Sequence, residues 1–287
     1  MTSVASSPQF ELSRDGIVRG ACPHDCPDTC ATLVTVQDGR AVRIAGDPDH
    51  PVTQGFLCAK VNRYIERTYH EERLRTPLRR VGPKGSGQFA PISWDDALDE
   101  IAGRLRDIAS SSDGPQAILP YSYAGTMGMI QGSAMDSRFF HLLGASNLDR
   151  TICSMAGTVG MRMTVGANVG ADGEGLPASD LVLLWGTNTL TANPHLWPFV
   201  LRARENGAPV ICIDPIRTRT AQQCDEWIPI RPGTDAALAL GMMHVMFAES
   251  LEDRDYLESF TLGHEQMRAR AAEWTPARTA AVTGLPE

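Results

Sequence analysis

The spacing of its cysteines constrains this chain more than any other feature. Seven cysteines are present; Cys22, Cys26, Cys30 and Cys58 crowd the amino-terminal end, whereas Cys153, Cys212 and Cys224 are scattered. The run Cys22-Pro-His-Asp-Cys26-Pro-Asp-Thr-Cys30 places three thiols in one turn-rich segment, and an intervening hairpin can bring Cys58 back to them. An odd cysteine count in a long chain without an export signal argues against a disulfide scaffold and for thiols kept free for metal or catalysis. Four thiolates suit a four-iron, four-sulfide cubane, in which each iron takes one thiolate. The competing use is structural zinc, which usually draws on two separate, narrowly spaced cysteine pairs; a radical-generating cluster needs only three cysteines at another spacing. With four thiolates completing the cluster, His24 is expected to be a neighbour or surface residue. Asp25 and Asp28 read as turn residues, because Asp in a Pro-containing loop bonds its own backbone.

The bulk properties exclude several classes of partner. Of 287 residues, 43% are apolar, enough for a sizeable core, and the formal charge is -8. No basic stretch interleaved with aromatics is available to follow a phosphate backbone, so nucleic acid is not an expected partner. Apolar runs such as Leu181 to Trp185 fall far short of the roughly 20 residues that span a bilayer, and no membrane span is expected. Met1 to Pro8 has neither an apolar secretory core nor a paired-arginine export signal, so a cytoplasmic location is expected.

Three regions follow from the pattern. Residues 1–14 are small and polar and read as a loose tail; residues 15–75 hold the cysteines, with a hairpin from Thr32 to Ile44 turning at Asp38-Gly39, a pair that tolerates the positive φ of a tight turn. The glycine-rich stretch Val81 to Gln88 is a linker or exposed turn. Residues 76–287 read as an α/β region. Ser93 caps a helix whose apolar positions Trp94, Leu98, Ile101, Leu105 and Ile108 recur every three or four residues. Short apolar runs at Ala117 to Leu119, Leu181 to Trp185 and Val210 to Ile213 are expected strands, with helices at Leu196 to Asn206 and from Thr234 or Asp235 to about Ser250. Apolar strands alternating with helices imply a doubly wound, mostly parallel sheet.

Within that sheet, the loops after Trp185 and after Ile213 fall at the carboxyl edge, where nucleotides bind in such folds. Pro215 to Thr220 offers hydroxyls and an arginine to phosphates, and Gly233-Thr234-Asp235 opens a helix whose free N–H groups favour an anion. Asp235 could instead be only a helix cap. Lysine occurs only at Lys60 and Lys84 among 26 basic residues, which makes Lys60, two residues beyond the fourth cysteine, a candidate cofactor contact on an electron path; a solvated charge is the alternative. Cys212 reads as a core residue in a strand and Cys224 as one in a helix. Of His141, His195 and His244, none of which has metal-ligand spacing, only His195 has a plausible cofactor contact.

Taken in order, the cysteine set, Cys58-Ala-Lys60, Pro91-Ile-Ser-Trp94-Asp-Asp-Ala97, Trp185-Gly186-Thr-Asn188, Ile213-Asp214-Pro-Ile-Arg217-Thr218-Arg-Thr220-Ala and Arg231-Pro-Gly233-Thr234-Asp235-Ala resemble the bis-pterin molybdenum enzymes, among them dimethyl sulfoxide reductase, periplasmic nitrate reductase and formate dehydrogenase. The likeness runs from about Val18 to the end of the sequence. It implies a 4Fe-4S cluster and a molybdenum or tungsten bis-molybdopterin guanine dinucleotide, with two-electron oxo-transfer or dehydrogenation of a small-molecule substrate and electrons leaving to a redox partner or electron-transfer subunit. Lys60 matches the lysine between cluster and pterin. Cys153 falls where relatives carry a sulfur or selenium ligand to the metal, Ser154 being its competitor and a buried structural cysteine the alternative. Gly186, Asn188, Asp214, Thr218, Gly233, Thr234 and Asp235 match positions that contact the dinucleotide. Gly125 to Gly128, and the glycines at 166, 170, 173 and 175, offer loops near the pterin.

Family members usually exceed twice this length, so the resemblance implies a fragment, a subunit completed by a separate chain, or a truncated iron-sulfur electron-transfer or assembly module without turnover. It also extends to acetylene hydratase, a non-redox branch with aspartate directly after its second cluster cysteine; Pro27 stands there in this chain and disfavours that chemistry.

Overall fold

A computed structural model describes residues 15–123, 135–152 and 154–287. The chain divides into two compact units, one reaching Gly170 and the other spanning Ala171–Glu287.

The first unit opens with an antiparallel sheet of β1 (Gly16–Ala21), β2 (Ala31–Gln37) and β3 (Arg40–Gly46) in the order β1-β2-β3. The β2–β3 hairpin turns at Asp38 and Gly39, both at positive φ, 48° and 68°, as expected of the Asp-Gly pair. Helices α1 (Ala59–Asn62) and α2 (Tyr64–Thr68) follow a long loop. The stretch 81–88 is the tip of a second hairpin, β4 (Leu78–Arg80) against β5 (Phe89–Pro91). Ser93 Oγ accepts the Asp96 amide at 3.0 Å and starts α3 (Trp94–Ala109), as its sequence signals. Arg79 ties the hairpin to that helix through Glu100 at 2.7 Å. Helices α4 (Met135–Leu143) and α5 (Met155–Val165) complete the unit.

The expected strand at Ala117 to Leu119 does not form. Gly114 at φ 67° and Pro115 instead start a single 3-10 turn, Pro115–Ala117, and the exposed Leu119 follows it. One backbone bond, from Ser146 N to Ile118 O at 2.9 Å, is too little for a ladder.

The second unit holds the parallel sheet: β6 (Val182–Trp185), β7 (Val210–Ile213) and β8 (Glu226–Ile228), in the order β6-β7-β8. Between the first two strands lie α6 (Thr189–Ala192) and α7 (Trp197–Glu205). Val200 and Ala203 of α7 pack on Val182, Leu184 and Val210, which places the core between helix and sheet. The sequence therefore reads correctly as α/β, a small cysteine-bearing β region followed by a parallel sheet with helices. Cys224 is not in a helix: it ends a 3-10 turn, Ala221–Gln223, and leads into β8. Beyond the sheet come α8 (Asp235–Ala248), α9 (Arg254–Phe260), α10 (His264–Ala272) and α11 (Pro276–Thr283). Among the described residues no helix is long and apolar enough to cross a membrane.

Candidate cluster and nucleotide sites

In the first unit the four amino-terminal cysteines are gathered by sheet register and by a pinned loop. Ala21 and Ala31 pair at the end of β1–β2 that the 22–30 loop closes, and Cys22 N donates to Cys30 O at 2.9 Å, so the first and third cysteines sit side by side. Between them Cys26 to Thr29 makes a turn with Thr29 at φ 47°. Cys58 arrives from the other direction. The loop that carries it is fastened at Asp47, which pairs with Arg19 and accepts the Gly55 amide on its main-chain oxygen at 3.1 Å. It is fastened again at the fully buried Thr53, whose Oγ1 accepts from Ala31 N at 2.9 Å. Cys58 then precedes α1, with Asn62 N donating to its carbonyl at 3.1 Å.

Cys30, Leu57 and Val61 are buried together, and Cys22, Cys58, Ile44 and Tyr64 pack against them. Burial, then Asp28, then the other three cysteines push the Cys30 thiol up to about 12. The Cys26 thiol is raised chiefly by burial, while the Lys60 ammonium is near enough to oppose the shift. Cys26 and Cys30, whose ionisation burial opposes, stand in a nest of four thiols walled by apolar side chains, and such a nest is stabilised when cationic metal enters among thiolates; its donors fit an iron-sulfur cluster. Asp28 sits in the turn, as expected, and is buried there. His24 shares a 2.5 Å hydrogen bond with the Tyr64 hydroxyl.

Cys153 and Gly125 to Gly128 lie outside the described residues. Ser154, next to Cys153, immediately precedes the glycine-containing helix α5 and makes no side-chain cap.

In the second unit the register aligns the carboxyl ends of the strands, Trp185 with Ile213 and Ile213 with Ile228. Every sequence-expected nucleotide residue follows one of these ends, which brings them to one sheet edge. Gly186, at φ 64°, donates its amide to Ile213 O at 2.9 Å. Asn188 Oδ1 accepts from Thr220 Oγ1 at 2.9 Å, and the same Oγ1 accepts the Leu190 amide at 3.0 Å. Asp214 Oδ1 accepts Ile216 N at 2.8 Å, and Thr218 Oγ1 accepts Ala221 N at 3.1 Å. Gly233 turns at φ 77° ahead of Thr234, whose hydroxyl donates to Arg231 O at 2.7 Å. Asp235 is not a cap: its Oδ1 accepts the Trp185 indole N–H at 2.7 Å. His195 is fully buried in the turn Pro194–Leu196 ahead of α7.

Sequence reasoning missed the residues that brace this edge. Thr220, fully buried, links the loops after β6 and β7; Trp185 links β6 to α8; and Trp227 Nε1 donates to Asp214 O at 2.8 Å. Thr220 and Trp185 lie in motif segments and so carried some signal, though not for this role; Trp227 carried none.

A thiol-gathering amino-terminal lobe followed by a parallel sheet with a braced carboxyl edge defines a cluster-bearing α/β protein with a nucleotide-type cofactor site. The pattern of the molybdopterin oxidoreductase Fe4S4 domain matches residues 16–70, and that of molybdopterin oxidoreductase matches residues 73–280; the chain belongs to the molybdopterin oxidoreductase family. Its cofactors are accordingly a 4Fe-4S cluster and a molybdenum- or tungsten-bearing pterin. It is similar to the probable oxidoreductase YoaE of Bacillus subtilis, 42% identical over 276 residues, 96% of this chain and 40% of the relative. It is also similar to the putative dimethyl sulfoxide reductase chain YnfE of Escherichia coli, 32% identical over 89% of this chain and 33% of the relative. Among solved structures, acetylene hydratase from Pelobacter acetylenicus superposes with a TM-score of 0.66 at 28% identity, covering 93% of this chain and 37% of that one. The chain thus spans between 33% and 40% of the length of these proteins.

Proposed function

We propose that this chain forms the cluster-bearing and nucleotide-binding part of an oxidoreductase that exchanges electron pairs with a small-molecule substrate and passes them to a redox partner or electron-transfer subunit. The supporting observation is the gathering of Cys22, Cys26, Cys30 and Cys58 around one point with Lys60 at its side. When bound, the metal-pterin supplies the two-electron oxo-transfer or dehydrogenation step. The four thiolates hold the 4Fe-4S cluster. Lys60 sets a positive charge beside the Cys26 sulfur, which favours the reduced, more negative state of that cluster and lets it bond an acceptor atom of the pterin. Cys153 is the protein ligand to the molybdenum or tungsten, Ser154 being the alternative; a soft thiolate suits a metal already held by dithiolene sulfurs.

At the sheet edge Gly186, Asn188, Asp214, Thr218, Gly233, Thr234 and Asp235 hold one molybdopterin guanine dinucleotide. The amides at the start of α8 attract its phosphates, and the braced carboxylate of Asp235 suits the N–H groups of a guanine. A further polypeptide segment supplies the second dinucleotide site and the substrate funnel. Residues 15–75 act as the cluster domain and 76–287 as the pterin domain.

Iron and sulfide analysis of anaerobically purified chain tests the cluster assignment. Four irons and four sulfides per chain, lost together with the visible absorption in Cys58→Ala, are expected; one zinc without sulfide refutes it. Molybdenum and tungsten analysis alongside iron separates an enzyme from an electron-transfer module. The likeness to acetylene hydratase favours a second reading, hydration without redox change. Pro27, standing directly after the second cysteine, opposes it, and acetylene consumption without dye reduction would support it.

A further inference from the structure

Tyr64, the first residue of α2, joins that helix to the cysteine loop. Its hydroxyl lies 2.5 Å from His24 Nε2, and the two rings stand 5.8 Å apart, tilted by 58°. His24 lies between Cys22 and Cys26 in the chain, so the bond holds the loop that carries both. Tyr64 packs against the buried Cys30, Leu57 and Val61, as Cys22 and Cys58 do, and lies near enough to both thiols for their charges to act on it. Arg67, one turn further along the chain, places its guanidinium 5.6 Å from the ring centroid. A single half-buried side chain therefore bonds the loop between Cys22 and Cys26 through His24 and shares the buried Cys30, Leu57 and Val61 with Cys22 and Cys58.

We propose that Tyr64 is a positioning and shielding residue of the iron-sulfur cluster, pinning the 22–30 loop through His24 and covering the Cys22 and Cys58 sulfurs from water. The proposal rests on the assignment of the four cysteines as cluster ligands. Partners behind the ligands fix their orientation, and the surrounding apolar shell controls solvent access and hence potential. A reduced cluster carries one more negative charge than an oxidised one, so admitting water stabilises reduction and shifts the midpoint potential upward.

The test compares the whole 287-residue chain, purified anaerobically, with Tyr64→Phe and Tyr64→Ala. Two quantities are measured: the rate at which the visible absorption bleaches on exposure to air, and the midpoint potential by redox titration followed by electron paramagnetic resonance. Tyr64→Ala is expected to bleach about tenfold faster and to show a more positive potential. Tyr64→Phe, which keeps the ring and loses the hydroxyl, is expected to restore the potential and most of the lifetime. A residue that merely helps the lobe fold would change thermal stability and leave the potential of the surviving cluster where it was. If Tyr64→Ala does not accumulate, Tyr64→Leu keeps apolar bulk without the bond to His24 and is compared in the same way. An iron-replete Tyr64→Ala chain, or Tyr64→Leu in its place, with unchanged lifetime and potential overturns the proposal alone; a wild-type chain without iron and sulfide overturns the cluster assignment and the proposal with it.

Discussion

Gly46 closes β3 and faces the loop that delivers Cys58, and adding one methyl group there tests how that delivery works. A Cβ at Gly46 would stand 2.6 Å from Phe56 O, 2.8 Å from Thr53 Cγ2 and 2.9 Å from the Gly55 carbonyl carbon. Carbon-to-oxygen contacts settle at about 3.3–3.6 Å, so the 53–56 segment must retreat by roughly 0.7 Å or more. Two of the three obstacles are main-chain atoms, which no rotamer change removes. Retreat strains the bonds that pin the loop, Ala31 N to Thr53 Oγ1 at 2.9 Å and Gly55 N to Asp47 O at 3.1 Å. Overpacking costs about 1–3 kcal/mol, and a lost hydrogen bond adds about 1 kcal/mol, so Gly46→Ala is expected to destabilise the metal-free chain by about 2–4 kcal/mol. Metal sites tolerate ligand errors of only about 0.2 Å, and the displaced segment ends two residues before Cys58. Iron content after anaerobic reconstitution should therefore fall as well. Gly39→Ala is the control: it meets no atom within 4 Å and bears only the strain of φ 68°, about 1–2 kcal/mol, so it should lower stability while leaving iron content intact. A Gly46→Ala chain with wild-type urea midpoint and full iron would refute the claim that this close approach sets the position of Cys58.

Two other perturbations probe the second unit. Trp185→Phe removes the donor to Asp235 and should weaken binding of GDP about fivefold, the equivalent of a hydrogen bond of about 1 kcal/mol, with the circular dichroism unchanged; equal affinity would show that the indole does not organise the site. Burial, with Cys212 next in importance, raises the Cys224 thiol from 9.0 to about 11. Between those values the unfolded chain has lost a proton that the folded chain keeps, so stability should fall as pH rises across that window, by at most about 1.4 kcal/mol per pH unit for one group. Urea midpoints should show a shallower decline for Cys224→Ala, and an identical decline would mean that Cys224 is not the titrating group.

Elements were legible where one physical cause dominates a short stretch. Asp38-Gly39 announces its turn because few residue types accept positive φ, and Ser93 announces α3 because its hydroxyl satisfies an amide that the helix leaves open. Strands β6 and β7 are continuous apolar runs, with Val182, Leu184, Val210, Cys212 and Ile213 buried. By contrast β8, only three residues long and opening on Glu226, has no pattern to read; its identity depends on pairing with β7. At Ala117 to Leu119 the apolar run was real, but a strand needs a partner as well as propensity. The α3 stripe misled in another way. Its period gives the helix correctly, yet Trp94, Leu98 and Ile101 are each more than half exposed, so periodicity names the face suited to burial without naming what covers it.

The same distinction separates what was readable at the two sites. A cluster accepts only a few donor types at a restricted spacing, so its candidate ligands stand out in the sequence as residue identities. The groups that hold a nucleotide edge in place are chosen differently. An N–H that steadies Asp235 could come from many side chains at many positions, and the one used, Trp185, stands 50 residues away and is brought there only by the sheet. Thr220 braces Asn188 across 32 residues by the same means. Such bracing costs little in composition and leaves almost no sequence trace, yet it fixes the angles on which recognition depends. Substituting braces should therefore shift affinity by modest factors and leave the fold intact, whereas substituting a cluster cysteine should remove its cofactor altogether.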